Sequence, residues 1–125
     1  MLTPLPQVLH ADMALACAES LRAALVRWNA LRVLRGEQEI GMRIGIESGQ
    51  ALVGDLGNDK RSVFTAVGSC INTASRLQEL GRELGCDLVV GPQTQLRATS
   101  ILTPLAVVAV KGLRSPLQVF TRKLT

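Results

Sequence analysis

The chain has 125 residues, 47% of them hydrophobic and 19% charged, which is enough for one domain with a buried core. With 2% aromatic residues that core has to be aliphatic, and with no zinc spacing, clustered Lys/Arg run or aromatic platform the usual nucleic-acid-binding modules are excluded. A formal charge of +4 and a pI near 9.5 suit a polyanionic ligand, without saying which.

In chain order, Pro4 and Pro6 make residues 1–11 an irregular lead-in. Asp12 can open a helix in which Ala14, Cys17, Leu21, Leu25, Trp28 and Leu31 follow the helical period, a stripe expected to pack on a sheet until Gly36 ends the element. Two strand segments are expected between Met42 and Val53. Turn chemistry over Gly54 to Arg61 leads to a strand over Ser62 to Val67. A second helix begins near Ser69, with Cys70, Ala74, Leu77, Leu80 and Leu84 on one side and Gly85 as its stop. A short strand over Cys86 to Val90 and a brief helix over Gln93 to Ala98, with Pro92 in its first turn, come next. Strands over Ala106 to Lys111 and Leu117 to Lys123 close the chain. This order predicts an α+β fold with helices packed on one face of a mainly antiparallel sheet.

No apolar run approaches the roughly 18 residues of a membrane span, and Met1 to Gln7 lacks the pattern of a signal peptide. Cys17, Cys70 and Cys86 are scattered and read as reduced, mostly buried thiols, so a cytoplasmic chain without a membrane segment is expected. Gly45, Gly49, Gly54, Gly57 and Gly68 form no phosphate-binding loop and read as structural. His10, the one histidine, has no partner for a triad or a zinc site, and no role is assigned to it. Asp55 and Asp59 read as solvated turn acids.

Chemistry concentrates on the second helix. Asn72 and Arg76 stand one turn apart and share a face, where an amide and a guanidinium suit a ligand carrying a hydroxyl and a phosphate. On its own chemistry Arg76 serves equally well to pair with Glu79 or Glu83. Likewise, Thr65 is ordinary strand filler and Lys111 an ordinary solvated strand end.

Four motifs occur in order: Gly45-Ile46-Glu47-Ser48-Gly49, Gly54-Asp55-Leu56-Gly57, Thr65-Ala66-Val67-Gly68 and Asn72-Thr73-Ala74-Ser75-Arg76-Leu77. Together they resemble the C-terminal half of a class III nucleotidyl cyclase domain, the adenylate/guanylate cyclase family, over residues 12–125. The resemblance implies a truncated, ferredoxin-like cyclase domain whose family reaction converts ATP to 3′,5′-cyclic AMP and pyrophosphate. It implies that Arg76 stabilises charge on the α-phosphate, Asn72 orients the ribose, Thr65 reads the purine and Lys111 reaches the triphosphate. A Thr at the purine position accompanies adenine, so ATP is expected ahead of GTP. Glu47 stands where the family commonly has His, and Gln50 where Glu is frequent.

The family's Mg²⁺ or Mn²⁺ ions are held by two Asp motifs in its N-terminal half, and neither motif occurs here. No metal ligand is therefore assigned, and the chain is expected to be inactive and poorly folded alone. The resemblance also implies a head-to-tail homodimer, or a heterodimer with a complete cyclase domain that supplies the carboxylates. The alternative is a noncatalytic dimerisation or nucleotide-sensing module.

Overall fold

The computed structural model describes residues 7–58 and 61–122, with side chains described for 10–52 and 67–122. Helix α1 (Gln7–Leu34) leads to strand β1 (Ile44–Ile46) and the hairpin β2 (Leu52–Asn58) and β3 (Arg61–Val67). After it come α2 (Ser69–Leu84), β4 (Leu88–Val90), α3 (Pro92–Arg97), β5 (Thr103–Val108) and β6 (Leu117–Thr121). Four strands form one sheet in the order β1-β4-β6-β5, while β2 and β3 form a separate two-stranded ribbon. In the sheet β1 runs parallel to β4, and the β4/β6 and β5/β6 pairings are antiparallel. The α+β class and the mainly antiparallel sheet are as expected.

The helices, however, are divided between the two faces of the sheet. Successive strand residues point to opposite faces, and β4 shows the consequence. Leu88 and Val90 pack with Leu15 and Ala18 of α1, whereas Val89 packs with Leu77 of α2. A three-residue strand buried on both faces reads as an unbroken apolar run, and all three of its residues are buried. The core is aliphatic, as the composition required.

Helix α1 begins at Gln7, five residues before Asp12, so the irregular lead-in does not extend to residue 11. Nothing from Gln7 to Ala11 resists a helix, and a Pro immediately before it is compatible with a helix start. The buried stripe of α1 also differs from the expected one. Ala11, Leu15, Ala18 and Leu25 are buried, Leu15 and Ala18 among them against β4, while Leu21, Trp28 and Leu31 stand about half exposed, at 49%, 53% and 52%. The helix carries two apolar stripes, and the fold buries the one that holds Leu15 and Ala18.

Two further boundaries differ. Gly54 to Asn58 belong to strand β2, because the ladder from Leu52↔Val67 to Asn58↔Arg61 runs through them. β5 covers Thr103–Val108, earlier than Ala106 to Lys111. Pro104 lies on the sheet's edge strand beside a register shift between Pro104 and Ala106, a position that needs no donor from Pro. The cysteines are free, with Cys17 exposed and Cys70 and Cys86 half-buried rather than mostly buried. Among the described residues no helix is long and apolar enough to cross a membrane.

Candidate functional site

The placement of α2 begins with Gly45. A Cβ at this position would run into the Ala74 carbonyl and the Gln78 amide, so the absence of a side chain lets the helix backbone lie directly on β1. Buried Leu77 and Thr73 fix the rotation of the helix about its axis. Asn72 and Arg76 are thereby turned away from the sheet, Asn72 exposed and Arg76 half-buried. Gly85 closes the helix in the left-handed conformation (φ 68°), the C-terminal cap expected from sequence.

The second wall comes from the turn after β5. Val110 is buried against the cluster that holds Leu77, which brings the turn to the first two turns of α2. Gly112 takes a positive φ of 92°, and the Leu113 amide donates to the Val110 carbonyl (3.0 Å). That turn presents Lys111 across from α2. Ser69, Asn72, Thr73 and Arg76 of α2, with Lys111, Gly112 and Leu113, line one cavity of about 130 Å³. On the far side of Arg76, a second cavity of about 260 Å³ is lined by Arg76, Glu79, Leu80, Glu83, Ala109, Val110 and Lys111.

Two cations and the positive end of a helix dipole therefore converge on one small space, a field that favours an anion. Among the described residues the ion pairs are Arg22–Asp87, Arg32–Glu37 and Arg122–Glu19, so Arg76 does not pair with Glu79 or Glu83. Small-molecule sites usually enclose roughly 300–1,000 Å³. The cavity of about 130 Å³ is smaller than that.

Asn72, Arg76 and Lys111 are brought together. Thr65 lies on β3, paired with Gly54, and its side chain is outside the described residues. Asp59 and the side chain of Asp55 are outside them as well. An amide, a guanidinium and an ammonium do not fit a divalent cation. Among the described residues no three His, Cys, Asp or Glu side chains are grouped to hold one. A larger cavity of about 600 Å³ opens at the other end of α2, beside Arg43, Gln78, Arg82 and Asp87, away from this constellation.

Sequence reasoning missed a polar cluster behind α2. Glu47 accepts hydrogen bonds from the amides of Ser48 and Thr94 (both 3.1 Å), and Ser48 Oγ contacts Thr94 Oγ1 at 3.0 Å and His10 Nε2 at 3.1 Å. Burial pushes the Glu47 carboxyl above its ordinary value of 4.5, against the amide hydrogen bonds that pull the other way. The one visible signal was a Glu placed directly after an apolar strand.

The profile described as Adenylate and Guanylate cyclase catalytic domain matches residues 7–121. The chain belongs to that family. Adenylate cyclase 1 of Rhizobium meliloti (strain 1021) is 28% identical over 119 residues, covering 94% of this chain and 18% of the relative. The adenylate cyclase of Anabaena cylindrica is 31% identical over 85 residues, covering 65% of the chain and 17% of the relative. The chain therefore spans less than a fifth of the length of these two relatives. The solved guanylyl cyclase Cya2 superposes with a TM-score of 0.75 at 26% identity, over 88% of this chain and 56% of that one.

Proposed function

We propose that the chain supplies the ribose-orienting and phosphate-facing wall of a class III cyclase site, the family reaction being conversion of ATP to 3′,5′-cyclic AMP and pyrophosphate. The observation that carries this reading is the single cavity lined by Asn72, Arg76 and Lys111. In that reaction the ribose 3′ hydroxyl attacks the α-phosphorus and pyrophosphate leaves, so much of the work is positioning and charge stabilisation. Arg76 faces the α-phosphate and takes up charge that develops there, while the Asn72 amide holds the ribose. Lys111, across the cavity, neutralises the departing polyphosphate. Thr65 reads the purine with a hydroxyl that both donates and accepts, which favours ATP over GTP.

The chain acts as one partner of a dimer, homomeric or with a complete cyclase domain, and the partner brings the carboxylates for Mg²⁺ or Mn²⁺. Alone it is inactive. Three free cysteines accord with a reducing, cytoplasmic setting. The donor set of the cavity, which does not fit a divalent cation, favours a second reading: a noncatalytic module that pairs with a cyclase domain or senses nucleotide through the same wall.

Binding separates a nucleotide site from a mere surface. ATP titrated into the chain should shift the Asn72 and Arg76 side-chain NMR signals, and Arg76→Ala should abolish the shift. Unmoved signals in the unsubstituted chain at millimolar ATP would count against the nucleotide wall and leave only the pairing form of the second reading.

A further inference from the structure

The cavity of about 600 Å³ at the C-terminal end of α2 has no part in the proposed reaction, and its size lies within the range of small-molecule sites. Gln78 and Arg82 both line it, one turn apart on α2. They repeat, at this end of the helix, the amide and guanidinium spacing of Asn72 and Arg76. A second guanidinium comes from Arg43, just before β1. Its stem lies across Gly81, where an added Cβ would sit 3.3 Å from Arg43 Cδ. The glycine before Arg82 thus lets Arg43 cross the helix at the same level.

Neither cation is engaged within the described part of the chain. The ion pairs there belong to Arg22, Arg32 and Arg122, and the arginine side-chain hydrogen bonds to Arg32, Arg97 and Arg122. Asp87, the carboxylate that lines the cavity, is paired with Arg22 of α1 at 3.3 Å. A helix C-terminus carries about half a negative charge. Here the Gly85 and Cys86 amides donate to the carbonyls of Arg82 and Gly81, which satisfies part of that end. Two whole positive charges outweigh the remainder, so the local field attracts an anion.

Two guanidinium groups and an amide suit a phosphate monoester, with its charge of about −1.5 to −2 and three acceptor oxygens, better than the single charge of a carboxylate. Half-buried Met42 adds an apolar surface, and the volume exceeds what a phosphate group alone fills. We propose that Arg43, Gln78 and Arg82 form a second ligand site, for a phosphorylated small molecule whose phosphate lies between the two guanidinium groups and whose body lies along Met42. The site is separate from the cavity of Asn72 and does not depend on what that cavity binds.

Cys86 lines the cavity, whereas Cys17 and Cys70 lie elsewhere, so alkylation of the three thiols reports occupancy with two internal references. The chain carrying Arg76→Ala, which takes the other cavity out of play, is titrated at constant ionic strength with inorganic phosphate, AMP and adenosine. Phosphate and AMP should shift the Gln78 side-chain NMR signal. At ten times the midpoint concentration they should slow Cys86 alkylation about tenfold, leaving Cys17 and Cys70 unchanged. Adenosine should do neither. Arg43→Ala and Arg82→Ala, both at exposed positions, should each weaken phosphate binding about tenfold. No response to millimolar phosphate or AMP would overturn the site. So would an equal response to adenosine or sodium chloride, equal slowing at Cys70, or undiminished binding when both arginines are replaced.

Discussion

Arg76 is the residue on which most of the functional account turns. Its guanidinium is always charged and its face is set by Leu77, the fully buried next residue of α2. Removing a preorganised charge-stabilising donor from a site of this kind typically lowers turnover by about 10²–10³-fold. A mixed dimer carrying Arg76→Ala should therefore lose at least that factor in cyclic nucleotide production while its melting temperature stays the same. Arg76→Lys should not restore activity, because an ammonium lacks the planar fork.

Glu47 makes a prediction about stability. Its carboxyl titrates above 4.5 in the folded chain, so the folded state binds the proton more tightly than the unfolded one. The contribution is favourable at acid pH, below the unfolded value, and is lost as pH rises through the raised folded value. Urea midpoints should fall over that window, and Glu47→Gln should flatten the fall. A midpoint that rises through the same window would show that the amide hydrogen bonds outweigh burial.

At the scale of the elements, α2 and its bed on β1 position the site. Gly45→Ala places a methyl against helix backbone, and overpacking of this kind costs about 1–3 kcal/mol. The expected result is a lower urea midpoint together with weaker ATP binding, since the helix that carries Asn72 must move. For α1 the expected outcome divides between its two stripes. Leu25→Ala, on the buried stripe, should cost about 2–5 kcal/mol, whereas Trp28→Ala, on the half-exposed stripe, should cost less than about 1 kcal/mol. Equal losses at the two positions would mean that the outer stripe is covered in solution.

Much of this was legible in the sequence where the information is local. The period of 3.6 put Asn72 and Arg76 on one face, Gly85 marked the end of α2, and the ordered motifs pointed to the family. What was hidden depended on packing between distant segments. Lys111 meets Arg76 because Val110 is buried with Leu77, a contact no spacing encodes. The choice between two apolar stripes on α1 was made by the sheet, and the start of β5 was obscured by a Pro that only an edge strand accepts. The hydrogen-bonded cluster around Glu47 joins residues 10 to 94, and its one visible signal was the Glu placed directly after an apolar strand.

The whole molecule presents the cavity of Asn72, Arg76 and Lys111 and a half-exposed apolar stripe on α1. It also ends its sheet on the short strand β1, whose outer edge has no partner among the described strands. Exposed apolar surface and an open edge together favour association. Analytical ultracentrifugation of the isolated chain should show species heavier than the 13.4 kDa monomer that grow with concentration. A sharp monomer boundary together with a cooperative melt would contradict this expectation.

The most direct test of the central claim is cyclic nucleotide production from ATP and from GTP with Mn²⁺. The chain is assayed alone and mixed with a cyclase subunit that keeps its metal carboxylates but lacks the residues equivalent to Asn72 and Arg76. The account predicts no product from either chain alone, cyclic AMP from the mixture, and loss of that product with Arg76→Ala. No product from a mixture shown to contain the heterodimer would contradict the half-site.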